Sequence, residues 1–142
     1  MTEERLEQYR ALKLEITHLE DRVDRMLSEG PQHISDSVST SASFPYSKHK
    51  LVIRGCEDPV TYSTRLNRLQ KRLDRSRTEF DELDKYIMSV PDARIRAIMQ
   101  YRFIEGWEWS RIANRMGWFT ESGPRKKIKK YLDAADSADY HE

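Results

Sequence analysis

The chain has a single cysteine, Cys56, in 142 residues, which excludes an internal disulfide and a four-thiolate zinc site. No run of 18 apolar residues occurs, so no segment reads as a membrane span. The opening residues MTEERLEQYR lack the apolar core of a secretory leader. The expectation is a soluble cytoplasmic protein with no membrane partner. Also missing are a Gly-rich phosphate loop, a nucleophile elbow and any cluster of carboxylates around a histidine. His18, His33, His49 and His141 share no ligand spacing. These absences argue against an enzyme and leave no expected cofactor, metal site or catalytic residue. Apolar residues make up 37 % and charged residues 35 %, too charged for a dense α/β core but suited to long helices with solvated faces.

What is present is an uneven charge distribution. The net charge is only +1. Residues 1–29 nonetheless hold eight acids against five bases, and the last ten residues hold four acids and no Lys or Arg. Between them, residues 111–132 carry Arg111, Arg115, Arg125, Lys126, Lys127, Lys129 and Lys130 against Glu121 alone. A near-neutral chain thus contains one concentrated basic segment followed by an acidic tail, 133–142.

Two hydrophobic seams precede that segment. Tyr9, Leu12, Ile16, Leu19, Val23 and Met26 follow alternating steps of three and four, which predicts a helix over 2–29. Gly30-Pro31 supplies its stop. Tyr62, Leu66, Leu69, Leu73, Ser76, Phe80, Leu83, Ile87 and Val90 continue the same alternation, broken in character only by Ser76. Asp58-Pro59 is the expected start, an N-cap acid with proline at the first helical position. Each helix would be roughly 40–45 Å long, and the two stripes should pair as an antiparallel hairpin over 1–90. Narrow seams leave much of each helix wet, so a homodimer held by 1–90 is expected. The 31–57 insert is too long for a simple turn. Its Ser-rich stretch reads either as a surface loop or, with Lys50–Arg54 and the aromatic Phe44 and Tyr46, as a small β-arm.

From Pro91 the period changes to three short helices. The first should run from Pro91 to about Phe103, with Ile95, Ile98, Met99 and Phe103 inward. The second should span about Glu108–Met116, with Trp109, Ile112, Ala113 and Met116 inward. The third should be capped by Thr120 or Ser122 and run to about Leu132, with Ile128 and Leu132 inward. Ala113 suits a close helix crossing. Gly117 suits a turn needing positive φ, and Trp118 a corner plug. A basic third helix suits a DNA major groove lined by phosphates.

At Pro91, Arg102-Phe103, Glu105-Gly106, Trp109, Ile112-Ala113, Gly117 and the Arg125–Lys130 run the sequence resembles sigma-70 region 4 and the related helix-turn-helix domains of phage activators. With the helical extension in front, the whole is similar to phage late-gene transcriptional regulators of the RinA/ArpU type. Pro124 departs from the pattern, standing where the family usually has a β-branched residue. The resemblance implies an all-α fold, a long antiparallel helical hairpin followed by a helix-turn-helix at 91–132. It also implies double-stranded DNA as partner, RNA polymerase as a further partner at promoters, and a bacterial host cytoplasm. Arg111, Arg115, Thr120, Ser122, Arg125, Lys126, Lys127, Lys129 and Lys130 would form the DNA surface, and an isolated 91–142 fragment would be a monomer that binds DNA more weakly. Two other readings stand beside this one. One is a DNA-packaging terminase small subunit, though those proteins place the helix-turn-helix first. The other is an accessory protein that uses the module to bind polymerase and not DNA.

Overall fold

A computed structural model describes the backbone of residues 1–40 and 49–139 and the side chains of 1–33 and 54–138. The described chain is predominantly helical, with one two-stranded antiparallel ribbon. Its elements are α1 (Glu3–Glu7), α2 (Tyr9–Glu29), β1 (His33–Thr40), β2 (His49–Cys56), α3 (Pro59–Ser89), α4 (Ala93–Met99) with a π-helical turn over Gln100–Ile104, α5 (Trp109–Met116) and α6 (Ser122–Asp139). The chain divides into two compact units, Met1–Thr17 with the chain from Asp74 onward, and His18–Leu73. The division falls inside α2 and α3, and not at residue 90 where the hydrophobic period changes.

The expected helix over 2–29 forms with one interruption. Thr2 caps α1 by accepting from the Arg5 N–H at 3.3 Å, and at Gln8 the amide turns back to the Arg5 carbonyl at 3.3 Å, a tightened turn. Leu12 N–H to the Gln8 carbonyl at 2.8 Å then resumes the helical ladder in α2. Gly30 ends α2, its N–H on the Met26 carbonyl at 3.0 Å, and Pro31 prevents continuation.

In the unit His18–Leu73, Leu19, Val23 and Leu73 are buried. The Tyr62 hydroxyl donates to the Met26 carbonyl at 2.6 Å, a second donor to the oxygen that already takes the Gly30 N–H. The insert is a ribbon, with His33 opposite Cys56 and Thr40 opposite His49. The β-arm reading is the one the backbone adopts, although Phe44 and Tyr46 lie outside the described residues. At its base the Glu57 N–H donates to the Gln32 carbonyl at 2.8 Å, and the Gln32 N–H donates to Glu57 Oε2 at 3.2 Å. Arg65 Nη2 donates to the same oxygen at 3.0 Å, and Nε lies 2.9 Å from Oε1 without the alignment of a second hydrogen bond. A buried carboxylate is tolerated there because its charge and lone pairs are answered. Cys56 is exposed, its Sγ 3.7 Å from His33 Nδ1.

The other unit holds the larger core. Leu6, Tyr9 and Leu12 from α1 and α2, Leu83 and Ile87 from α3 with Val90 just beyond it, Ile95, Ile98, Met99 and Phe103 from α4 and its π turn, Ile112 from α5, and Ile128 and Leu132 from α6 form one buried cluster. Side chains of this size each contribute roughly 1.5–3 kcal/mol when fully buried. The polar break in the second seam, Ser76, is fully buried, and its hydroxyl donates to Glu15 Oε2 at 3.2 Å. Along this unit the partners run in opposite order, Arg5 with Glu82, Tyr9 with Phe80 and Glu15 with Ser76.

Tyr9 lies against Phe80, ring centroids 4.6 Å apart, and its hydroxyl donates to Asp84 Oδ1 at 3.0 Å. Burial, then the Asp84 hydrogen bond and charge, push the phenol up to about 12 from 10.0. The folded state therefore holds this proton more tightly than the unfolded chain. Stability from Tyr9 is complete below pH 10 and is lost as pH rises toward 12, a decline of up to about 3 kcal/mol. Urea unfolding should show that decline in the wild type and a shallower one in Tyr9→Phe.

Candidate nucleic-acid interface

The segment 91–139 builds the surface that carries the concentrated bases. Asp92, and not the expected Pro91, opens α4. Its Oδ1 accepts from the Arg94 N–H at 2.8 Å and the Ile95 N–H at 3.3 Å, while Pro91 sits one residue outside. These donors, chiefly the Arg94 N–H, and the nearby Lys127 and Arg94 charges hold the Asp92 carboxyl below the usual carboxylate range. The four expected inward residues of α4 and its π turn are all buried. The π turn closes with the Glu105 N–H on the Gln100 carbonyl at 3.0 Å.

α5 begins at Trp109 with Glu108 as N-cap residue, and buries Ile112 and Ala113. Gly117 ends it at φ +80°, and the Trp118 N–H reaches the Ala113 carbonyl at 2.8 Å. A β-branched residue resists that left-handed geometry. Gly117→Val should cost about 1–2 kcal/mol, and Ala113→Leu about 1–3 kcal/mol by overpacking, both read as shifts of the urea midpoint. Trp118 fills the corner as expected. A Cβ at Gly123 would lie 2.6 Å from its Cδ1, so only glycine allows this approach. On the other side Arg94 sits over the indole, 4.5 Å from the centroid, and Arg94 Nη2 reaches the Met116 carbonyl at 3.4 Å.

α6 starts at Ser122. The Thr120 and Ser122 hydroxyls are 3.1 Å apart, and the Gly123 N–H closes onto the Thr120 carbonyl at 3.2 Å. Pro124 falls in the first turn, where an amide would have no partner inside the helix, and is itself buried. The helix continues to Asp139, past the expected end at Leu132, so most of the acidic tail is its last turns.

The nine expected contact residues separate into groups. Pro124, Ile128 and Leu132 mark the buried face of α6. Arg125, Lys126, Lys129 and Lys130 are exposed, the pairs 125/129 and 126/130 each four residues apart and so aligned along the helix. Ser122 precedes them on the same face. Among the described residues no carboxylate pairs with Arg115, Arg125, Lys126, Lys129 or Lys130. Lys127 differs, being half-buried with its charge felt by Asp92. Arg111 is stacked on Trp107, 3.7 Å from the ring centroid, so much of its guanidinium face is occupied. Arg115 is exposed on α5.

Two features escaped sequence reasoning. An open cleft of about 510 Å³ lies between α6 and the start of the chain, lined by Ser122, Arg125, Lys126, Lys129 and Asp133 on one side and by Thr2, Glu3 and Glu4 on the other. The Met1 amine is 2.7 Å from Asp136 Oδ1 at the same place. Acids from the N-terminal turn therefore border the basic face, a contact between residues more than a hundred positions apart that no local pattern signals. The second feature is Phe119, which is fully exposed. Its signal was the Trp118-Phe119 pair, of which one ring is enough to fill the corner.

Among the described residues no group of three or more His, Cys, Asp and Glu could hold a metal ion, and no helix is long and apolar enough to cross a membrane. Comparison with protein-family models, with curated proteins and with solved structures finds no match to this chain.

Proposed function

We propose that this chain binds double-stranded DNA in a sequence-specific manner through α5, the Gly117 turn and α6 acting as a helix-turn-helix. The wider reading is a transcriptional regulator of phage or prophage type that works at promoters with RNA polymerase. The architecture in this reading is a long antiparallel helical hairpin, α1–α2 with α3, followed by the helix-turn-helix. The opposite order of the contacts Arg5–Glu82, Tyr9–Phe80 and Glu15–Ser76 supports the first part. The left-handed Gly117 between α5 and α6 supports the second.

One observation carries the proposal. Four exposed bases, Arg125, Lys126, Lys129 and Lys130, form two adjacent rows along α6, with no carboxylate paired to them among the described residues. From Arg125 to Lys130 the exposed positions carry positive charge alone, and Asp133 joins that side of the helix only one turn later. Phosphates arranged along a groove need this one-signed array. The test is binding of a labelled duplex by the full chain as salt is raised.

Glu3 and Glu4 set a limit on that affinity. Beside the basic face they repel phosphate over a few ångströms, and salt screens the effect. The double substitution Glu3→Gln, Glu4→Gln should tighten DNA binding about three- to ten-fold at low salt, since two partly screened charges amount to about 1 kcal/mol. The gain should shrink at higher salt. Equal affinities at low salt would mean that DNA approaches α6 from its other edge, along Lys130.

The homodimer in this reading rests on half-site geometry. Every apolar residue of the two seams is buried or half-buried within one chain, so uncovered seams no longer argue for a second copy. Half-site geometry, two recognition helices about 34 Å apart, remains the reason to propose one.

A further inference from the structure

We infer that Phe119 reads thymine, its ring making an apolar contact with the 5-methyl group in the major groove; this rests on the DNA-binding reading and deepens it. Phe119 is 106 % exposed, whereas Leu14, Val60, Met88 and Leu27, the other exposed large apolar residues among the described ones, are 73, 70, 59 and 57 % exposed. The fold does not use the ring. The corner between α5 and α6 is already filled by Trp118, held between Gly123 and Arg94, so Phe119 is left outside it.

Its place in the turn follows from the chain. Phe119 precedes Thr120, whose carbonyl takes the Gly123 N–H at 3.2 Å and whose hydroxyl lies 3.1 Å from that of Ser122. The ring therefore stands at the end of α6 that also offers two hydroxyls and, one turn on, Arg125 and Lys126. In a helix-turn-helix this end of the second helix approaches the base edges. The floor of the major groove is polar except at thymine, whose 5-methyl is the apolar group a phenyl ring can cover. Bases along the helix hold the phosphates, the hydroxyls serve either kind of base, and the ring supplies the discrimination they lack.

The test takes duplexes selected by the full wild-type chain from a randomised pool and replaces each thymine in turn by deoxyuridine, which lacks only the methyl group. Covering one methyl should make wild-type binding about four-fold weaker at one or two thymines on the uracil probe. Phe119→Ala, checked by its unchanged urea midpoint, should bind the thymine probe more weakly and lose nothing further on uracil substitution at those positions. A wild-type chain indifferent to uracil everywhere, or a variant with the same uracil penalty as wild type, overturns the role of Phe119 while leaving DNA binding intact. A pool from which the full chain selects no duplex at low salt removes the DNA reading itself, and this inference with it.

Discussion

A chain cut to residues 91–142 should show no cooperative unfolding transition, whereas the full chain should show one. The reason lies in the shared core. Ile98, Met99, Phe103, Ile112, Ile128 and Leu132 belong to the same buried cluster as Leu6, Tyr9, Leu12, Leu83, Ile87 and Val90. Removing the second group strips six large apolar neighbours, and at roughly 1.5–3 kcal/mol each the loss is comparable to the whole stability of a small domain, about 5–15 kcal/mol. Where a dimer held by residues 1–90 leads to a monomeric, weakly binding fragment, the shared core predicts an unfolded one. Leu83→Ala in the full chain should cost about 2–5 kcal/mol, although Leu83 precedes the module in sequence. Urea titration followed by circular dichroism measures both. A sharp transition in the fragment, with a midpoint near that of the full chain, would show that the module is self-sufficient.

The helical layout was legible because its signals are local. Steps of three and four gave both seams, Gly30-Pro31 gave the first stop, and Ala113 and Gly117 occupy the buried and left-handed positions foreseen for them. Asp58 and Pro59 open α3 as expected, with the Tyr62 N–H on the Asp58 carbonyl at 3.0 Å. The choice between Pro91 and Asp92 as the start of α4 was missed because both are good starting residues, and only the carboxylate bonds to Arg94 and Ile95 decide it. The length of α6 was missed because charge, and not helix propensity, marked residues 133–139 as separate. Ala, Asp and Ser there do not forbid helix. The mixed core was illegible for a deeper reason. Leu6 and Leu12 look the same in sequence whether they face α3 alone or the helices after Pro91 as well.

The site was legible as composition and less so as geometry. The one-signed run at 125–130 was visible as charge, and α6 turns four of its members outward together. That Arg111 is spent on Trp107 and that Lys127 is half-buried near Asp92 depends on tertiary neighbours. So does the presence of Glu3 and Glu4 beside the basic face.

The measurement that tests the central claim most directly is the salt dependence of DNA binding by the full chain. If Arg125, Lys126, Lys129 and Lys130, with or without Arg115, supply four or five phosphate contacts, log K should fall against log salt with a slope of roughly −4. Lys129→Ala with Lys130→Ala should weaken binding to all sequences alike and flatten the slope to about −2, with the urea midpoint unchanged because both side chains are exposed. Fluorescence anisotropy of a labelled duplex, titrated at several salt concentrations, gives both slopes. An affinity that does not change with salt, or no binding at low salt, would contradict the account.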